Sequence, residues 1–111
     1  YTQAGNLIFV AGQVAIDPQT QETPASFAAQ LHLILMNLKT ILESAGSSLE
    51  NILKTTVFLK ELSNYAEYNE IYRKYFKNGL PARSTVVADL VREDFLIEIE
   101  AIAWRTDKQT R

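Results

Sequence analysis

The 111-residue chain has no cysteine, one histidine, one tryptophan and one methionine. Without thiols there is no disulfide framework, no thiolate metal site and no cysteine nucleophile. A lone histidine, His32, leaves no basis for a histidine triad or a multi-histidine metal centre. Positive charge is also short: 11 Lys and Arg stand against 13 Asp and Glu, for a formal net charge of -2. No basic stripe supplies the electrostatic footprint that nucleic acid requires. No apolar run reaches the roughly 18 residues of a membrane span, and no signal-peptide or transit pattern is present. The chemistry must therefore run on carboxylates, arginine, tyrosine, hydroxyls and backbone groups.

What is present is a hydrophobic fraction of 47% beside 22% charged residues. That composition predicts one globular domain over 1–111, near the small end of sizes that fold alone. Residues 6–16, NLIFVAGQVAI, are β-branched and aromatic, which reads as a strand. Gly12 inside it marks a bulge or a close backbone approach. Asp17-Pro18-Gln19-Thr20 is turn chemistry. From Ser26 to Ala45 the period changes: Phe27, Leu31, Ile34, Leu35, Leu38, Ile41 and Leu42 recur at three and four, one face of a long helix. Gly46 is suited to close it, while His32 and Asn37 fall off the stripe as solvated or rim polar positions.

Residues 52–62, ILKTTVFLKEL, predict a second strand. Ser63 or Asn64 can cap a second helix carrying Tyr65, Tyr68, Tyr72, Tyr75 and Phe76, whose spacing reads as an aromatic core stripe with solvated phenol tips. Strands are then expected at 84–90 and 96–104, across a polar turn at Arg92-Glu93-Asp94. The tail from Thr106 to Arg111 is polar and expected to be loose. Strand, helix, strand, helix, strand, strand predicts an α+β layer structure with both helices on one sheet face.

Three features carry possible chemistry. In LIEIEAIAW the period of two places Glu98 and Glu100 on one face with Ile102. A half-apolar face that becomes covered would raise a carboxylate's pKa toward the range useful for proton transfer. Arg83 follows Pro81 and opens a stiff strand, so its backbone is well fixed. Its guanidinium suits bidentate capture of a small carboxylate or phosphate, and suits equally an ion pair with Asp89, Glu98 or Glu100. Gly12-Gln13 offers close backbone approach, or only a bulge.

Tyr1-Thr2-Gln3-Ala4, GNLIFVAGQVAIDPQT, NLKTILESAGSSLENILKTTVFL, NEIYRKYF, PARSTV and IEIEAIA occur in the order found in the Rid (YjgF) family of reactive intermediate deaminases, which the chain resembles over nearly its whole length. The specific part is PARS followed by IEIEAIA, with Glu98 fifteen positions after Arg83. The resemblance implies a chorismate-mutase-like sheet with two helices on one face, and a homotrimer whose sheets form a central barrel. It implies cofactor-free hydrolysis of enamines and imines, such as 2-aminoacrylate and 2-iminopropanoate, to 2-oxo acids and ammonia. That is the activity of a 2-iminobutanoate/2-iminopropanoate deaminase, working in the cytoplasm or the mitochondrial matrix.

Carried over residue by residue, the resemblance makes Arg83 the clamp for the substrate carboxylate and Glu98 the group that activates water. Tyr1 would reach the site near the subunit boundary. Gly12 would offer a backbone N–H, Asn69 matches a recurrent asparagine, and Thr85 lines the pocket where many members carry cysteine. No metal is implied, and no nucleic acid or membrane partner. Ala11 stands where the family usually has serine, and the Ala4–Gly5 junction is a few residues shorter than the family pattern. Relatives that bind small carboxylates without catalysis, and others described as ribonucleases or translation inhibitors, supply the alternative functions. The acidic composition weighs against RNA. Retention of Glu98 beside Arg83 weighs for catalysis, since a pure carboxylate binder needs only the arginine.

Overall fold

The computed structural model describes residues 1–106. A five-stranded sheet is built from β1 (Thr2–Ala4), β2 (Leu7–Gln13), β3 (Ile52–Leu59), β4 (Ala82–Val87) and β5 (Ile97–Trp104). Two helices accompany it, α1 (Phe27–Ser44) and α2 (Tyr65–Tyr75). The strand order is β1-β2-β5-β3-β4. Only β3 and β4 run parallel, and α2 is the crossover that a parallel pair needs. The α+β architecture expected from the order of elements is the one observed.

The pattern of β5 sorts the two faces. Ile97, Ile99, Ala101 and Ala103 are buried, while Glu98, Glu100 and Ile102 alternate with them on the other side. Directly paired residues share a face. Val57 and Leu59 therefore join the buried side, as does Ile8 opposite Ala103. The helices cover that side: Leu31, Ile34, Leu35, Leu38 and Leu42 of α1 are fully buried in one cluster with Tyr68 and Tyr72 of α2. The opposite face has no covering layer among the described residues. It exposes Leu7, Phe9 and Trp104, with Leu7 paired to Trp104 and Phe9 to Ile102.

Local chemistry sets the ends of α1. Ser26 Oγ accepts from Ala29 N at 3.1 Å and so caps the helix N-terminus. Gly46, at φ +83, closes the helix as anticipated: Ser47 N donates to Leu42 O at 2.8 Å and Gly46 N to Glu43 O at 3.2 Å. This is the Schellman pattern, which satisfies carbonyls left over at a helix C-terminus.

Several boundaries differ from the sequence reading. The first strand is a hairpin, β1 and β2, joined through Gly5 and Asn6, with Gly5 at φ +59. A two-residue loop needs such positive φ, and it is the physical form of the short Ala4–Gly5 junction. The fourth strand starts at Ala82 and ends at Val87 rather than spanning 84–90, because it pairs with β3 from Lys54 to Leu59 and no further. Tyr68 and Tyr72 are fully buried, so their hydroxyls are not solvated tips. Thr106 is held by Gly46 O at 2.9 Å rather than loose; the rest of the tail, 107–111, lies outside the described residues.

Gln30 is a core polar residue that periodicity does not reveal. Fully buried on α1, its Nε2 donates to Pro24 O and Asp94 O, both at 2.8 Å, and its Oε1 accepts from Leu96 N at 2.9 Å. It ties the segments entering α1 and β5 to the helix. Gln30→Leu keeps the volume but leaves these backbone groups unpaired, at about 1–3 kcal/mol for each orphaned group. Urea denaturation should show a loss of about 3 kcal/mol with an unchanged m-value. Glu43→Ala, which removes only the exposed i,i+4 pair with Lys39, should fall within about 0.5 kcal/mol of wild type.

Candidate active site

The six residues singled out from the sequence fall into three places. The first is the edge strand β4. Arg83 pairs with Thr55 and Thr85 with Val57, both partners buried under the helices, so Arg83 and Thr85 point toward α2. There Arg83 Nη1 donates to Asn69 Oδ1 at 2.7 Å and to Tyr68 Oη at 3.1 Å. Its guanidinium carbon lies 5.1 Å from the Tyr68 ring centroid and 5.2 Å from that of Tyr72. Aromatic faces attract a cation at this range. Tyr68 Oη also lies 3.4 Å from Thr85 Oγ1.

Among the described residues Arg83 forms no ion pair, so the alternative of a salt bridge to Asp89, Glu98 or Glu100 is not realised within the chain. The arginine is half-buried and held entirely by neutral groups. Its charge is therefore uncompensated locally, the condition of an anion site.

Glu98 and Gly12 form the second place. β2 changes register against β5 between Val10 and Gln13, the bulge that Gly12 suggested. The close approach is real as well. A Cβ placed on Gly12 would collide with the Glu98 carboxylate, whose Cδ would lie only 2.8 Å from it. Glycine is thus required where the carboxylate rests on the β2 backbone. Partial burial, with a smaller contribution from the like charge of Glu100, pushes the Glu98 carboxyl above the usual carboxylate range.

Tyr1 occupies the third place alone. It is 60% exposed beside edge strand β1, whereas Arg83 is on the opposite edge. Four inter-strand steps separate the two strands, ~19 Å at ~4.8 Å per step. Glu98 is two strands from β4 and on the other face of the sheet. The chain thus joins Arg83 to Asn69 and Thr85, and Glu98 to Gly12, but does not join the two groups to each other or to Tyr1. The open face also carries a depression of about 400 Å³, lined among others by Phe9, Lys54, Thr56, Glu100 and Ile102, which includes neither Arg83 nor Glu98.

Sequence reading missed the part of Tyr68 and Tyr72. Tyr72 Oη and Thr55 Oγ1 share a buried hydrogen bond of 2.7 Å; burial pushes the Tyr72 phenol up to about 12 and raises that of Tyr68 as well. Both stay neutral and act as hydrogen-bonding pins between α2 and the sheet. The available signal was that a buried phenol needs a partner, and the polar residues β4 turns toward α2 are Arg83 and Thr85.

The Glu98 shift has a stability consequence. A carboxyl whose folded pKa is raised contributes stability that is fully present below its unfolded pKa and lost as pH rises through the folded one. Ionised Glu98 therefore opposes folding at neutral pH. Glu98→Gln should raise the melting temperature at pH 7, and the gain should shrink toward about pH 4, the ordinary carboxylate range. Scanning calorimetry across that window checks it.

Comparison with known proteins supplies the context for these groups. The family model described as Endoribonuclease L-PSP matches residues 1–105. A RutC family protein of Pyrococcus horikoshii is 45% identical over 104 residues, covering 93% of this chain and 82% of the relative. A protein of Escherichia coli K12 named 2-iminobutanoate/2-iminopropanoate deaminase is 44% identical over 104 residues, covering 91% and 81%. The crystal structure of E. coli TdcF with bound serine superposes with a TM-score of 0.88 at 39% identity, covering 95% of this chain and 85% of that one. With its β-bulge glycine under Glu98, its Arg83 on the edge strand and this match from end to end of the sheet, the chain belongs to the endoribonuclease L-PSP family, the YjgF or Rid family that its motifs resemble.

Proposed function

We propose that the protein hydrolyses short-chain 2-imino acids and their enamine tautomers to 2-oxo acids and ammonia, as a homotrimer with sites between subunits. The observation that carries the reading is that one chain holds both an arginine uncompensated within it and a carboxyl whose proton affinity is raised. The 44% identical E. coli relative that bears the deaminase name supports it.

The chemistry asks little of the protein. An iminium carbon is already electrophilic, so neither a covalent nucleophile nor a metal ion is required by the reaction. Arg83 holds the substrate carboxylate and fixes the C=N carbon in place. Glu98 takes a proton as water adds to that carbon, forming a carbinolamine. The same carboxyl returns the proton to nitrogen, then takes the hydroxyl proton as the C–N bond breaks, so ammonia leaves and the carbonyl of the 2-oxo acid forms. A carboxyl held above the ordinary range is the better proton acceptor and is suited to these transfers. Gly12 supports Glu98 and offers its N–H, Asn69 steadies Arg83, and Thr85 lines the pocket.

Residue placement supports a site shared between subunits. Arg83 and Glu98 on opposite faces of one sheet cannot grip one small substrate from the same chain. A neighbour that covers the apolar face of Leu7, Phe9 and Trp104 would bury exposed hydrophobic surface. It would also bring its own Glu98 or Tyr1 toward the Arg83 edge.

The decisive assay follows 2-oxo acid formation from 2-aminoacrylate generated in situ. Wild type should exceed the buffer rate, and Arg83→Ala and Glu98→Ala should each lower kcat/KM about 100-fold. Gly12→Ala, which displaces the Glu98 carboxylate, should lower it at least about tenfold. Turnover no faster than buffer, with Arg83-dependent binding of 2-oxobutanoate retained, would instead identify a carboxylate-binding module. Light scattering that finds only monomer would refute the shared site.

A further inference from the structure

The Arg83 cluster contains one residue to which the deaminase reading gives no part, Tyr68, and counting its protons shows what it does. A guanidinium Nη carries two protons and accepts none. Both Nη1 protons are engaged, one on Asn69 Oδ1 and one on Tyr68 Oη. Among the described residues no bond engages Nε or Nη2. The Nε–Nη2 edge is thus the fork left for a carboxylate, and its plane is set by the two contacts on Nη1 and by the tyrosine rings beside it.

Tyr68 is fully buried. Its oxygen must accept from Arg83, because Arg83 cannot accept, and its own proton is then available to Thr85 Oγ1, 3.4 Å away in a contact where either hydroxyl could donate. With Thr85 accepting there, the threonine hydroxyl proton is free to point away from Tyr68. With Tyr68 as donor, the protons from Arg83 through Tyr68 to Thr85 all run one way, the direction that the permanent charge at the Arg83 end favours.

We propose that Tyr68 is a positioning residue that polarises this relay, so that Thr85 presents an O–H donor to the same substrate carboxylate that Arg83 holds. The identity of the ligand rests on the deaminase reading; the relay rests on the geometry alone. Tyr68 acts on ligand affinity through its two neighbours and takes no part in the water or ammonia steps. Its removal should therefore show in binding and leave turnover of bound substrate unchanged.

Tyr68→Phe keeps the buried ring and its contact with the guanidinium while removing the relay oxygen. Two measurements on Tyr68→Phe, Thr85→Val, the double variant and Thr85→Ser test the proposal. One is calorimetric titration with 2-oxobutanoate; the other is steady-state deamination of 2-iminobutanoate generated in situ. Tyr68→Phe and Thr85→Val should each raise Kd and KM roughly fivefold, the worth of one hydrogen bond, with kcat within about twofold of wild type. The double variant should be no worse than about the larger single effect, since both changes break one relay. Thr85→Ser, which keeps the hydroxyl, should bind like wild type.

An unchanged Kd in Tyr68→Phe, or single effects that multiply in the double variant, overturns the relay. So does a loss confined to kcat. If Tyr68→Phe fails to fold, equal Kd for Thr85→Val and Thr85→Ser overturns it, and a loss confined to Thr85→Val upholds it. A wild type that binds 2-oxobutanoate without turnover, with the non-additive pattern intact, sinks the deaminase reading and leaves the relay standing. Normal deamination with a silent Tyr68→Phe does the reverse, and absence of both binding and turnover removes both.

Discussion

The two-residue period of β5, hydrogen-bonded between β2 and β3, is the constraint on which the rest of the structure depends. It places Ile97, Ile99, Ala101 and Ala103 under α1 and α2, and in the same stroke places Glu98 and Glu100 on the other face. A slip of one residue would bury two carboxylates beneath the helices and expose the isoleucines, so hydrophobic burial holds the register. The Glu98 carboxyl is positioned by the same force that builds the core.

Each chemical group is then held by a different kind of neighbour. Glu98 lies against backbone, which is why the facing residue is glycine, and its proton affinity is raised by lost hydration. Arg83 is held by neutral oxygens and aromatic rings, so it is fixed in place without losing its charge to an internal partner. One side of the sheet carries the uncompensated arginine and the other the carboxyl of raised proton affinity. Between them lies β3, whose Thr55 pins Tyr72 while its partner on the next strand is Arg83 itself.

Much of this was legible in the chain. The amphipathic period of Phe27 to Leu42 and the Gly46 signal marked α1, because periodicity and a helix-ending glycine are local chemistry. Gly12 read as either a bulge or a close approach, and it marks a bulge with the Glu98 carboxylate resting against it. Gln30 and the tyrosine hydroxyls were not legible. Gln30 serves backbone groups at Pro24, Asp94 and Leu96, the latter two distant in sequence. Tyr68 gains its meaning only once α2 is laid across β4, and a helical stripe of aromatics looks the same whether its hydroxyls meet water or an arginine. The short β1–β2 hairpin escaped notice because its turn is only Gly5 and Asn6.

By itself the sequence determined the order of elements, the two-faced character of β5 and the absence of any thiol or histidine cluster, all matters of local residue type and spacing. It also carried the motifs that align the chain with its family. It could not decide whether Arg83 would be neutralised by a carboxylate, since Asp89, Glu98 and Glu100 were all near enough in sequence to serve. The tertiary structure decided that. Strand pairing turns Arg83 toward α2 and sends Glu98 to the opposite face, because adjacent strands share their sidedness and successive residues do not.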